Sequence, residues 1–185
     1  MSKQHKKKEY YQKSSDGLCR WDAICNAIGT NFINLQRFYK ECDDFDKKYD
    51  LNSNFSREFF SIVGDDYDNI INHILSKTRK YKTVYLQDRS ILTPEDLENC
   101  SAFLPFNNGH IWAVRRSIHN PNIWVQLDGK YPTFIHPGKT QSFRGVILIY
   151  PITFDNDLNI DDIQLSQTQI KKQRRAERQK RRNAK

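Results

Sequence analysis

The apolar periodicity of this chain changes once, near residue 80, and that change limits the folds open to it more than any other feature. Before it, apolar residues recur at helical spacing. Trp21, Ile24, Cys25 and Ile28 predict a helix from about Cys19 to Ile28, closed by Gly29. Thr30 or Asn31 is the expected cap of a second helix, Phe32 to about Cys42, with Phe32, Leu35, Phe38 and Tyr39 on its inner face. Residues 43–54 are charged and read as a loop. A third helix is expected over about Ser56–Val63, ending at Gly64. Asp65 or Asp66 would cap a fourth, from about Tyr67 to Thr78, burying Ile70, Ile71, Ile74 and Leu75. Beyond it, Lys82–Gln87 reads as a strand and Thr93-Pro94-Glu95-Asp96-Leu97 as a short capped helix with Pro94 in its first position. Five short strands follow: Ala102–Phe106, Ile111–Arg116, Ile123–Leu127, Tyr131–Ile135 and Arg144–Ile149. Asn107-Asn108-Gly109, Ser117–Pro121, Asp128-Gly129 and Pro137-Gly138 separate them with turn chemistry. Helices first and an antiparallel sheet afterwards define an α+β pattern. The chain has no internal repeat and no strand–helix–strand alternation, which argues against a doubly wound nucleotide-binding sheet.

The charge is unevenly spread. The net charge is +8, yet residues 171–185 alone carry +8 and residues 1–13 carry +4, so residues 14–170 carry −4. The basic character therefore belongs to the ends, and a nucleic-acid-binding role for the domain itself is disfavoured. The chain divides into a basic, flexible N-terminus (1–13), one domain (14–152), and a polar linker with a basic tail (153–185), helix-competent from about Asp162. Such a tail suits nuclear import, or nonspecific attachment to RNA, DNA or an acidic partner through residues 171–185.

The cysteines, Cys19, Cys25, Cys42 and Cys100, form no CxxC pair and no zinc-like cluster with histidine. No cofactor or metal is implied. Polar Lys13-Ser14-Ser15-Asp16 follows the basic N-terminus where a secretory segment would turn apolar. The longest apolar run, near Val146–Ile152, is far below the roughly 18 residues of a membrane span. An intracellular protein with free thiols, not associated with membranes, is expected. Abundant lysine, asparagine and isoleucine suit an AT-rich genome such as that of a large virus or protist.

In a reducing compartment, a well-placed cysteine is a candidate nucleophile. Cys19 follows the turn Asp16-Gly17 and opens the first helix, where unpaired backbone N–H groups and the positive end of the helix dipole favour a thiolate. Taken alone, it would read as a buried structural thiol. His110 and Asp128 change that reading. His110 follows a turn and leads a strand, and Asp128 ends the next strand. Adjacent antiparallel strands bring the start of the first beside the end of the second. The carboxylate would orient the imidazole, which would take the thiol proton. Asp128-Gly129 also reads as an ordinary hairpin turn. Cys25, Cys42 and Cys100 are expected in the core, with Trp112 and Trp124. His73 reads as a surface or satisfied core residue, His119 and His136 as turn residues, and Asp22 as solvated.

Gly17-Leu18-Cys19 opening a helix, His110-Ile111-Trp112-Ala113-Val114-Arg115, and Trp124-Val125-Gln126-Leu127-Asp128 resemble the three catalytic blocks of papain-fold cysteine peptidases. The likeness is nearest to Josephin-type deubiquitinases, and it extends to the helical insertion over residues 30–80. Asp16-Gly17-Leu18-Cys19-Arg20-Trp21-Asp22-Ala23-Ile24 also resembles the cysteine block of ovarian-tumour-type deubiquitinases, whose histidine block differs. The resemblance implies a papain-like α+β fold with Cys19 as nucleophile, His110 as base and Asp128 as orienting residue. It implies ubiquitin or a ubiquitin-like protein as substrate, cleaved after its C-terminal glycine, by a monomer. Such peptidases carry an oxyanion-hole glutamine five or six residues before the cysteine. Here Ser14 and Lys13 hold those positions, so Gln12 is the candidate, beside the backbone N–H of Cys19. The competing reading is a non-catalytic papain-like binding protein attached to a polyanion by its basic tail.

Overall fold

The computed structural model describes residues 11–13, 17–87, 92–128, 132–136 and 143–152. The chain divides into two units, Met1–Ile152 and Thr153–Lys185. All described elements belong to the first. The expected helix from Asp162 and the basic tail lie outside the described residues, as does the N-terminus through residue 10.

Helix α1 spans Cys19–Ile28, the range its periodicity predicts. Ala23, Ile24 and Cys25 are fully buried on it. Helix α2 runs Leu35–Lys48, later and longer than expected. Its cap is Asn34, whose side chain accepts from the Arg37 N–H at 2.8 Å. Phe32 and Ile33 belong to the link before it, where the Ile33 carbonyl accepts the Trp21 indole N–H at 2.7 Å. The charged residues 43–48 are helix, because Phe38, Cys42 and Phe45 continue one buried stripe while Lys47 and Lys48 face outward. Asp46, 4% exposed, accepts the Ser56 N–H with both oxygens, at 3.0 and 3.2 Å. That bond seats the short helix α3, Phe55–Glu58.

The expected third helix therefore stops at Glu58. Ile62–Val63 is strand β1, paired antiparallel with β2, Asp68–Asn69, around a Gly64–Tyr67 turn. Two β-branched residues ahead of Gly-Asp-Asp favour this hairpin over another helical turn. Helix α4, Ile70–Thr78, is capped by Asn69 and not by Asp65 or Asp66. It buries Ile70, Ile71, Ile74 and Leu75 as the spacing predicts.

The main sheet contains β3 (Tyr81–Gln87), β4 (Ala102–Asn107), β5 (His110–Ile111), β6 (Ala113–Arg116), β7 (Trp124–Leu127), β8 (Thr133–Ile135) and β9 (Gly145–Pro151). Its order is β3-β9-β4-β6-β7-β8, with β5 also on β4, and every described pairing is antiparallel. Between β3 and β4 lies α5, Pro94–Leu97, with Thr93 and Asp96 forming a reciprocal capping box. The expected strand Ile111–Arg116 is split at Trp112, whose N–H donates to the Pro105 carbonyl at 3.2 Å.

Both faces of the sheet are covered. Ile147 and Ile149 of β9 join α1, α2 and α4 in the larger core. Val146 and Leu148 point the other way, into a smaller cluster with Phe103, Trp112, Trp124 and Phe143. The fold is thus α+β, with helices first and an antiparallel sheet after them.

Candidate active site

Helix α1 has a second face. Cys19, Asp22, Ala23 and Asn26 follow one another at i, i+3, i+4 and i+7, and all four line a cleft of about 530 Å³. Cys19 is the first residue of the helix and half-buried, and the first helical bond runs from the Asp22 N–H to the Leu18 carbonyl at 3.0 Å. The N–H of Cys19 therefore has no partner within the helix. Gly17, just ahead, has a φ of +89°, and a Cβ there would meet nothing within 4 Å. Its requirement is conformational, a turn that an L side chain would strain.

The opposite wall comes from the sheet. Asn107 and His110 pair across the β4–β5 hairpin, whose turn holds Gly109 at a φ of +82°. Ala113 pairs with Leu127 between β6 and β7, leaving Asp128 just past the end of β7. His110 Nε2 lies 2.6 Å from Asp128 Oδ1. With Nε2 held by the carboxylate, Nδ1 is the ring nitrogen left to exchange a proton. Trp112 stacks on the imidazole at 5.6 Å between centroids with 19° between the planes. Its indole N–H is buried without a hydrogen-bond partner among the described residues. Trp112 and Trp124 are buried in the smaller core, and Trp112 also lines the cleft. Cys19, His110 and Asp128 thus share one cavity, between the start of α1 and the β5 and β7 ends.

Gln12 lines the same cleft and is docked on α1. Its N–H donates to Asn26 Oδ1 and its carbonyl accepts from Asn26 Nδ2, each at 2.7 Å. Its Nε2 donates to Asp22 Oδ1 at 2.9 Å. Asp22, expected to be solvated, is half-buried because it anchors this glutamine. Asn26 is held in turn from β6, where Arg115 Nε donates to its carbonyl at 3.1 Å. Tyr11 closes the row, its hydroxyl pushed above its ordinary pKa by burial and by the Asp128 and Asp22 carboxylates. Asn26, Arg115 and Tyr11 are site residues that periodicity alone passes over. The signal for Asn26 was present, since it stands one helical stripe along from Cys19 and Asp22.

The other thiols are sequestered. Burial pushes Cys25 up to about 11, Cys42 to about 12 and Cys100 to about 11. None of them lines the cleft. His119 and His136 are exposed, away from the cleft. His73 packs edge-on against Phe45, with its Nε2 buried and 3.5 Å from Glu41 Oε2. It is a mostly buried residue paired with that carboxylate. Among the described residues no cluster of His, Cys, Asp or Glu could hold a metal ion, and no helix is long and apolar enough to cross a membrane. The chain matches no family model and no curated protein.

Proposed function

We propose that this chain is a papain-like cysteine hydrolase of the deubiquitinase type, most like the Josephin group. The observation that carries the reading is the 2.6 Å His110–Asp128 pair in the cleft lined by Cys19. Of the four cysteines, Cys19 is the one that meets this cleft, as the first residue of α1.

His110 Nδ1 takes the proton of Cys19 Sγ, and the thiolate attacks the carbonyl carbon after the C-terminal glycine of ubiquitin or a ubiquitin-like protein. The resulting oxyanion accepts a hydrogen bond from the Cys19 N–H, with Gln12 Nε2 as the second candidate donor. The imidazolium gives its proton to the departing amine, leaving a thioester on Cys19. Water attacks the thioester as His110 takes a proton from it, and the thiol reforms as that proton returns to sulfur. Asp128 orients the imidazole and stabilises its protonated form.

The test is a full-length ubiquitin probe bearing a C-terminal electrophile. The wild-type chain is expected to gain one covalent probe, and Cys19→Ala none. An adduct that survives Cys19→Ala, or no adduct on the wild type, counts against the assignment.

A further inference from the structure

Asn26 stands in the last turn of α1 and is 1% exposed. Asparagine is a weak helix former, and burying its amide costs stability unless the donor and acceptor are paired. One partner pairs both. The Gln12 N–H donates to Asn26 Oδ1 and Asn26 Nδ2 donates to the Gln12 carbonyl, each at 2.7 Å. The side-chain amide thus meets the main chain of Gln12 as a neighbouring strand would, and two opposed bonds fix where that residue lies along the helix. Asn26's own carbonyl, one of those that a helix end leaves without a helical partner, accepts from Arg115 Nε at 3.1 Å. Arg115 is 3% exposed and lies on β6, five residues beyond His110. Asn26 therefore joins three parts of the site: the helix that carries Cys19, the sheet that carries His110, and the segment that carries Gln12.

Gln12 is placed from two sides. Its Nε2 donates to Asp22 Oδ1 at 2.9 Å, which directs the side chain along the cleft and uses one of the two amide N–H groups. The second N–H is the one an oxyanion beside Cys19 would meet. Asp22 does not fix the main chain from which that side chain extends. Among the described residues, the main chain of Gln12 pairs with the Asn26 amide and with no other backbone group. An oxyanion donor acts through where it is held before the reaction begins, so the residue that holds its backbone bears on the chemistry without touching substrate.

We propose that Asn26 is a positioning residue of this site: its side-chain amide seats the main chain of Gln12 on α1 and so presents the Gln12 amide to the oxyanion. This role rests on the hydrolase reading of the cleft, and one arm of its test needs no substrate. Amide exchange is followed by NMR in the labelled full chain. The Gln12 N–H is expected to exchange at least about tenfold slower than an unstructured amide. In Asn26→Ala it is expected to lose that protection, while the helical N–H groups of Ala23 and Ile24 keep theirs. A Gln12 N–H that exchanges freely in the wild type, or stays protected in a folded Asn26→Ala, overturns the proposal. The second arm is turnover of a ubiquitin C-terminal fluorogenic substrate by Asn26→Ala, Gln12→Ala and the double variant. Asn26→Ala is expected to lower kcat on the order of 10²-fold with little change in KM, the scale for a group misplaced by about 1 Å. The double variant is expected to be no slower than Gln12→Ala. Losses that multiply overturn the proposal, because a residue that only supports the domain does not act through Gln12. A Gln12→Ala that turns over like the wild type overturns it too. If Asn26→Ala does not fold, Asn26→Leu replaces it, keeping the side-chain volume and lacking both bonds. A wild type that leaves the ubiquitin substrate uncut while the exchange results hold keeps the seating of Gln12 and loses the deubiquitinase reading.

Discussion

His110 and Asp128 meet through the carboxylate's charge as much as its shape. Asp128→Asn keeps the outline of the side chain and removes the anion that stabilises an imidazolium. Turnover of a ubiquitin C-terminal fluorogenic substrate is expected to fall on the order of 10²-fold, the scale of lost general acid–base assistance, with little change in KM. Gln12→Ala is expected to lower kcat by about 10²–10³ if its amide meets the oxyanion, as removal of one such donor does elsewhere. A loss below about threefold would reduce Gln12 to a docking residue for Asp22 and Asn26. The candidate triad was legible because each member follows a local signal: Cys19 a turn and a helix start, His110 and Asp128 the two ends of neighbouring strands. The anchoring of Gln12 was not legible, since it depends on Asn26 across 14 positions of chain.

At the scale of elements, the registry of β9 on β4 decides where the histidine hairpin sits. Gly145 pairs with Phe106, and a Cβ on it would lie 2.6 Å from Phe106 Cζ and 3.2 Å from the Leu86 carbonyl. Phe106 has little room to yield, being packed against Phe60 at 4.9 Å and Tyr85 at 6.0 Å. Gly145→Ala is therefore expected to cost about 1–3 kcal/mol in urea unfolding, the range for overpacked interiors. An unchanged midpoint would mean the ring moves aside freely. Two elements departed from expectation, for opposite reasons. Residues 43–48 looked like a loop because charges outnumber apolar residues, but Phe45 and Asp46 are buried by α3 and α4, which local sequence does not reveal. The hairpin β1–β2 replaced a helix for the converse reason, two β-branched residues beside a turn outweighing a short apolar run.

For the whole molecule, the buried face of α4 makes stability depend on pH. Burial, and then the Lys77 charge, hold the His73 pKa below 6.5, against opposing pulls from Glu41 and Asp68. The folded state binds fewer protons at His73 than the unfolded chain does. Its contribution is thus intact above pH 6.5 and is lost as the pH falls from there through the lowered folded value. His73→Phe retains a ring against Phe45 and removes the titration. Its melting temperature is expected to fall less steeply than the wild type's between about pH 7 and pH 5. Parallel slopes would assign the acid sensitivity to other groups.

The opening of the first helix by Cys19, the burial of α4 and the change from helical to strand periodicity are properties of contiguous residues, and the amino-acid order determined them. So did the partition of charge, −4 between two basic ends. Tertiary structure alone decided how Gln12 is anchored, why Asp22 is half-buried, and that the Arg20 guanidinium is buried. Each of these depends on groups brought together from distant parts of the chain. Arg20 illustrates it: its carbonyl acceptors lie 3 and 37 residues away. Its burial depends on α3 being brought over the start of α1.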